Sequence, residues 1–223
     1  MVYDSLCLSG GGINGLVILG SLKFLSDKKI LIVNRIKNFV GTSIGSLIVF
    51  LLLIEYNIND IIEIFYDLNL EKFKVEFDLE DLINNYGIEN GSKILTVIQT
   101  LLYTKLKVND ITFAELFNKT KRRINIIAVN YTKKKEVNFN YIDYPNLSVI
   151  SALRMSISIP FIFHPFKFEG DLYVDGGVMN NFGIEYCDIK STIGICLDYT
   201  LIKNCENILE YFLGYLSIFN KIT

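Results

Sequence analysis

Tryptophan is absent from this 223-residue chain, histidine occurs once (His164), and proline occurs three times, at Pro145, Pro160 and Pro165. Each scarcity excludes something. A single histidine leaves a zinc site short of ligands, and the four cysteines, Cys7, Cys187, Cys196 and Cys205, stand at no C-x-x-C spacing. They read as buried, reduced thiols of an intracellular protein. Charge of neither sign is in excess, with 22 Lys+Arg against 24 Asp+Glu and a formal net charge of -2. That balance cannot neutralise a nucleic-acid backbone, which excludes polynucleotide binding as the main activity. Long hydrophobic runs are missing as well. The greasiest, Leu47 to Ile54, spans eight residues, whereas a helix crossing a bilayer needs about 20. Met1-Val2-Tyr3-Asp4 lacks the basic n-region of a signal peptide. The expectation is a cytoplasmic protein with no transmembrane segment, able to associate peripherally with a membrane.

What the chain does have is grease. It is 51% hydrophobic, with 16 Phe and 13 Tyr, and its mean hydropathy is +0.35. Such values predict a large core, a greasy binding surface, or both. A chain of this length buries roughly 70% of the surface its unfolded form exposes, so it needs no disulfide or metal staple. No internal repeat or linker divides it, and one domain over residues 1–223 is expected.

Tyr3 to Ser9 reads as a short buried strand running into Gly10-Gly11-Gly12-Ile13-Asn14-Gly15 and an apolar helix, Leu16 to Ser26. Arg35 to Val40 reads as a second strand, followed by Gly41-Thr42-Ser43-Ile44-Gly45 and a helix from Ser46 to Tyr56. A strand feeding a helix through a glycine turn, twice in succession, predicts a parallel α/β sheet. Asn59-Asp60, Gly91-Ser92 and Asp110 are positioned to cap helices running to Asp67, Tyr103 and Asn118. Arg123 to Asn130 and Lys135 to Tyr141 alternate as a β-hairpin around Lys133-Lys134-Lys135, while Asp67 to Tyr86 carries no clear pattern. Residues 201–223 read as a C-terminal helix packed on the domain.

The first glycine loop has two functional readings. Gly10-x-Gly12-x-x-Gly15 fits a dinucleotide fingerprint, in which glycines let a pyrophosphate approach a helix N-terminus. It equally fits an oxyanion hole, where glycines leave backbone N–H groups accessible beside the positive end of a helix. The dinucleotide reading wants an acid at the end of the second strand, and Asn38-Phe39-Val40 has none. A tight turn without a ligand is the plain alternative.

Gly41-x-Ser43-x-Gly45 is a nucleophile-elbow pattern, with glycines two residues either side of a serine because the turn leaves no room for side chains. A serine hydroxyl attacks only when a base takes its proton. His164 precedes the acid candidates of the last third, and no histidine follows them, so the Ser–acid–His order of an α/β-hydrolase cannot be built. His164 itself reads as a packed or rim residue. A carboxylate acting directly on the serine remains, and the best candidate is Asp175, delivered by a strand and followed by Gly176-Gly177. Alone, Asp-Gly-Gly is most often a turn.

In this order the three motifs resemble the patatin-like phospholipases: Gly10 to Gly15, then Gly41-Thr42-Ser43-Ile44-Gly45, then Asp175-Gly176-Gly177. The likeness continues through Thr112-Phe113-Ala114-Glu115-Leu116 and through Ala152-Leu153-Arg154-Met155-Ser156-Ile157-Ser158-Ile159-Pro160, and spans about residues 3 to 200. The resemblance implies a three-layer α/β/α fold around a central, mostly parallel sheet. It implies a Ser–Asp dyad that hydrolyses acyl esters of lipids without metal or cofactor, as a phospholipase A-type enzyme does. Ser43 takes the nucleophile's place and Asp175 the base's. Gly10, Gly11 and Gly12 take that of the oxyanion loop, Gly10 shaping its turn, and Gly15, Gly41, Gly45, Gly176 and Gly177 support the motifs. Asn14 departs from the family, which usually carries Arg or Lys there, and Asp-Gly-Gly replaces the commoner Asp-Gly-Ala. The loss of charge at Asn14 motivates a rival reading, a catalytically silent protein that binds lipid or another protein.

The resemblance also implies a phospholipid or other acyl-lipid partner and contact with a membrane surface. Candidates are Phe161-Ile162-Phe163 with Phe166 and Phe168, and the helical face Leu209, Phe212, Leu213, Leu216 and Phe219, which reads equally as core packing. The basic clusters Lys119 to Arg123 and Lys133 to Lys135 read as solvated turn and edge charges. The sequence names no activating protein.

Overall fold

A computed structural model of the chain describes residues 3–67 and 79–197. The expected helix over 201–223, its apolar face and Cys205 lie outside the described residues. In chain order the elements are β1 (Ser5–Leu8), α1 (Gly15–Asp27), β2 (Asn38–Thr42), α2 (Ile44–Leu53), α3 (Ile58–Asp67), α4 (Leu79–Asn85), β3 (Gly87–Glu89) and α5 (Ser92–Leu106). They continue with α6 (Phe113–Thr120), β4 (Arg123–Asn130), β5 (Lys135–Phe139), α7 (Val149–Ser156), β6 (Phe161–Phe163), β7 (Phe166–Phe168), β8 (Asp171–Asp175) and β9 (Thr192–Ile195).

The expected α/β fold is present. The central sheet runs β7-β8-β4-β2-β1-β9, with β5 also paired to β4. The four strands β4, β2, β1 and β9 are parallel, while β5 and β8 join β4 antiparallel. A separate parallel pair joins β3 and β6.

Period-two alternation assigns the two faces of the sheet. Leu6, Leu8, Phe39, Ile124, Ile126, Ala128, Val137 and Phe139 point into the main hydrophobic core with α1, α2 and α7. All of α2 from Gly45 to Leu53 is buried, which explains why its sequence is apolar all round. The other face carries a row of amides. Asn138 donates to Asn125 at 3.0 Å, Asn125 to Asn38 at 2.9 Å, and Asn38 to the carbonyl of Tyr186 at 3.1 Å. On this face Phe182 and Ile184 lie over Gly194, and Gly183 sits on Ile127.

Boundaries moved for identifiable reasons. The second strand begins at Asn38 rather than Arg35 because Val33–Arg35 form a single 3-10 turn, and it continues through Gly41, which pairs with Leu8. Asp110 does not cap α6. Thr112 does, through a capping box with Glu115, and Asp110 instead accepts from the Ser148 hydroxyl at 2.7 Å. The basic hairpin forms as expected, with Lys134 at φ 51 in its turn and Lys133 paired to Asp171 at 2.6 Å.

The site is set by how β4 divides one of its edges. Thr42 of β2 faces Ile127, and Asp175 of β8 faces Ala128, the next residue along. Since β5 occupies the other edge over Ile126–Asn130, β2 and β8 must abut end to end on the same edge. Their last residues therefore meet.

Candidate active site

Ser43 follows the last residue of β2 and precedes the first of α2, with φ 53 and ψ −128. A serine at positive φ is uncommon, and holding one in so sparsely populated a region costs on the order of 1–3 kcal/mol. The surroundings enforce it. A Cβ on Gly41 would lie 2.5 Å from Ser46 Cα, and one on Gly45 would lie 2.4 Å from the Ser9 carbonyl oxygen and 2.6 Å from that of Leu8. Strand β1 and the start of α2 thus approach closer than any side chain permits. The Ser43 N–H donates to Ser156 Oγ at 2.9 Å, and its carbonyl accepts from Ser46 Oγ at 2.6 Å.

Asp175 closes β8 opposite Ser43. The Ser43 hydroxyl donates to Asp175 Oδ2 at 2.5 Å, and the Gly177 N–H donates to Oδ1 at 2.7 Å. The Asp175 N–H donates to the Ser158 carbonyl at 2.9 Å, fixing its backbone from the chain beyond α7. Both residues are only 5% exposed. Burial pushes the Asp175 carboxyl up from 3.8 to about 7, against the opposing pull of the Ser43 hydroxyl and the Gly177 N–H. The carboxyl therefore exchanges its proton near neutral pH, as a base for a serine requires.

The first glycine loop lies against this pair. A Cβ on Gly10 would come 3.1 Å from Ser43 Cβ and 2.3 Å from Asn181 Oδ1, so the loop backbone packs directly on the elbow. The Gly10 N–H donates to the Asn181 carbonyl at 3.1 Å, so it is already engaged, and Gly10 shapes the turn rather than offering a donor. Gly12 takes φ 51 at the start of the single turn Gly12–Asn14. Gly15 begins α1 where a Cβ would meet Ile44 Cγ1 at 2.8 Å, which brings α1 tightly onto the elbow's helix. Asn14 stands at the N-cap of α1 with no side-chain capping bond. Gly176 packs on the Ile127 carbonyl, and Gly177 lies between Asp175 and Asn181.

The structure thus brings all three motifs together, and it leaves His164 out. His164 Nε2 lies 2.9 Å from Asp81 on α4, whose carboxyl is held below its usual range by a hydrogen bond from Asn85 and, after it, by the contact with His164. Among the described residues no group of three or more His, Cys, Asp or Glu side chains is arranged to hold a metal. Cys7 is buried, and Cys187 and Cys196 are half-buried free thiols.

Several residues of the site carried no assigned role in the sequence. Ser156 and Ser158 sat inside a recognised stretch, yet only the fold reveals that one holds Ser43 and the other Asp175. Asn180 and Asn181 clasp the loops together: the Asn180 carbonyl takes the Thr42 hydroxyl at 3.2 Å, and that of Asn181 takes Gly10. Arg154, 1% exposed, donates to Ser158 Oγ at 2.5 Å and to the carbonyls of Asn90 and His164 at 3.0 and 3.1 Å. Burial brings its guanidinium down to about 10, still charged at neutral pH. It ties the β3–β6 pair to the chain that carries Asp175.

Residues 6–188 match the family model of the patatin-like phospholipases. A probable lipid hydrolase, 463L, of Invertebrate iridescent virus 6 is 37% identical over 189 residues, covering 82% of this chain and 62% of the relative. An uncharacterised protein, R571, of Acanthamoeba polyphaga mimivirus is 33% identical over 195 residues, covering 86% of this chain and 64% of the relative. The chain therefore matches somewhat under two thirds of the length of these relatives. Among solved structures, VipD of Legionella pneumophila superposes with a TM-score of 0.67 at 14% identity, over 88% of this chain and 50% of that one. ExoU of Pseudomonas aeruginosa, in its heterodimer with SpcU, gives 0.56 at 16% identity over 97% of this chain and 50% of that one. At such identities the structures speak for the fold, and the family match carries the membership. The family model spans residues 6–188, most of the chain, and the chain belongs to the patatin-like phospholipase family.

Proposed function

We propose that this protein is a lipid acyl hydrolase of phospholipase A type, working through Ser43 and Asp175. The observation that carries the reading is the 2.5 Å bond from the Ser43 hydroxyl to a buried Asp175 carboxylate, with no histidine between them. Asp175 takes the hydroxyl proton as Ser43 Oγ attacks the ester carbonyl carbon. The carbonyl oxygen becomes an oxyanion beside the Gly11–Gly12 backbone, whose N–H groups are proposed to receive it. Collapse breaks the bond to the alkoxy oxygen, which leaves with the proton held by Asp175, and the acyl group stays on Ser43. Water then gives its proton to Asp175 and attacks the acyl-enzyme. Collapse breaks the bond from the acyl carbon to Ser43 Oγ, which takes the proton back from Asp175 as the fatty acid departs.

A bilayer-held substrate calls for a surface that can meet the membrane, and the neighbourhood of β3 and β6 supports one. Phe161 pairs in register with Gly87, next to Tyr86. Phe161 and Tyr86 are 60% and 61% exposed and sit at φ 68 and 62. Two largely exposed aromatic residues in the left-handed region, side by side at this pair of strands, fit a surface that meets lipid. Phe166 and Phe168, in contrast, pack partly against the core.

The test is labelling with a fluorophosphonate, which reacts with activated serines whatever their natural substrate. Wild type is expected to label, and Ser43→Ala and Asp175→Asn to lose labelling while remaining folded. A folded wild type that does not label, with or without phospholipid vesicles, overturns the proposal in favour of a silent lipid-binding member.

A further inference from the structure

We infer that Ser156 is a positioning residue whose hydroxyl interrupts the β2–β4 ladder at Ser43 and so holds the nucleophile in line with Asp175. The inference rests on the reading of Ser43 and Asp175 as nucleophile and base. The parallel ladder between β2 and β4 ends at the pair Thr42–Ile127. One more rung would carry the N–H after Thr42 to the Ile127 carbonyl, as parallel pairing dictates. That rung is not made directly. Ser156 Oγ accepts from the Ser43 N–H at 2.9 Å and donates its own proton to the Ile127 carbonyl at 2.6 Å. A hydroxyl has both a donor and an acceptor, so it satisfies both orphaned backbone groups while holding the strands apart. All of this happens in the interior, with Ser156 fully buried.

The separation has two consequences for the site. It lets the chain leave β4 at once and adopt φ 53 at Ser43, and it leaves the edge of β4 at Ala128 for Asp175. Without the hydroxyl, the Ser43 N–H is free to take the Ile127 carbonyl directly. The ladder would then continue by one rung, drawing Ser43 back toward β4 and its Oγ away from Asp175 Oδ2.

This displacement has a readout that simple loss of stability lacks. The bond from Ser43 holds the Asp175 carboxyl below the value burial alone would give it. Losing the bond raises that value, so the acid limb of the pH profile moves to higher pH. The charged groups on the elements packed around Asp175 are engaged or directed elsewhere. Arg154 on α7 bonds the Ser158 hydroxyl and the carbonyls of Asn90 and His164, Asp171 on β8 pairs with Lys133, and Arg123 of β4 is exposed at the strand's far end. The limb therefore reports the hydroxyl contact.

The experiment compares wild type with Ser156→Ala on a soluble short-chain ester, alongside carbon-13 titration of the Asp175 carboxyl by NMR. The expected result is a kcat lower by roughly 100-fold, as for a misplacement of about 1 Å, with KM nearly unchanged. The Asp175 titration should move upward by about half a pH unit or more. A folded Ser156→Ala protein with an unmoved Asp175 titration overturns the inference, whatever its rate. Should Ser156→Ala not fold, Ser156→Cys decides in the same way, since its thiol bridges weakly and predicts a smaller movement in the same direction. A wild type that cleaves no ester overturns the proposed function alone, because the carboxyl titration needs no turnover.

Discussion

Thr42 and Asp175 are held by consecutive residues of one strand edge, Thr42 by Ile127 and Asp175 by Ala128. A parallel strand and an antiparallel strand thus finish against each other, and Ser43, one residue beyond Thr42, reaches Asp175 with a single hydrogen bond. The reactive geometry belongs to the sheet rather than to flexible loops.

The raised Asp175 carboxyl sets a pH dependence whose sign is definite. A general base must be deprotonated, so kcat/KM is expected to rise through pH 7 and level off above it. A pH–rate profile on a soluble ester measures this directly, and a rate that is flat from pH 5 to 9 contradicts it.

His164, the one histidine of the chain, provides the control for assigning this dependence to Asp175. His164→Gln is expected to loosen the tie to Asp81 on α4 while leaving the limb in place, because His164 pairs with Asp81 and not with the serine. Disappearance of the limb in this variant would return the histidine to the mechanism.

The same carboxyl links pH to stability. In the unfolded chain Asp175 loses its proton near 3.8, and in the fold near 7. Its folded value is raised, so its contribution is fully present below pH 3.8 and is lost as pH rises through 7. At about 1.4 kcal/mol per pH unit, the ionised carboxylate costs the fold roughly 4 kcal/mol above pH 7. Asp175→Asn is therefore expected to melt above wild type at pH 8, with the margin closing toward pH 4. Calorimetry at the two pH values checks both halves.

Two glycines offer a paired test of the elbow. Gly45→Ala would place a methyl against the backbone oxygens of Ser9 and Leu8, which have no side-chain freedom to yield. It is expected to cost about 1–3 kcal/mol and to abolish fluorophosphonate labelling. Gly20→Ala, in the interior of α1 with nothing within 4 Å, should stabilise by about 0.5–1 kcal/mol and leave labelling unchanged. Denaturant titrations of the two variants separate them.

At the β3–β6 surface, Phe161→Ser should weaken binding to phospholipid vesicles by tenfold or more, since a buried phenyl side chain is worth roughly 1.5–3 kcal/mol. Turnover of a soluble ester should be unaffected. Sedimentation with vesicles measures the first, and unchanged sedimentation would remove Phe161 from the membrane contact.

Much of this architecture was legible in the sequence because glycine spacing has steric causes. Gly41 and Gly45 announce the elbow, and Asp175 with two following glycines announces a loop that other chains approach. The rest was hidden for physical reasons. Ser156 acts through a hydroxyl that bridges two backbone groups, and no spacing distinguishes it from Ser158 or Ser151. The cap of α6 was misplaced at Asp110 although Thr112-x-x-Glu115 carries the stronger signal. Strand β8 could be recognised, but not that it would share an edge of β4 with β2, because that depends on pairing between distant segments. Arg154 carried no assigned role in the sequence; it is buried, and the Ser158 hydroxyl and two carbonyls that take its terminal N–H groups are brought to it only by the fold.

The end-to-end meeting of β2 and β8 also sets when the site comes into being. Ser43 and Asp175 lie 132 residues apart along the chain, and on a ribosome the elbow emerges long before its partner. Under the proposed mechanism, the serine stays without its base until β8 docks on β4, however well the first half of the chain has folded. Labelling of Ser43 during translation would thus time the arrival of a single strand.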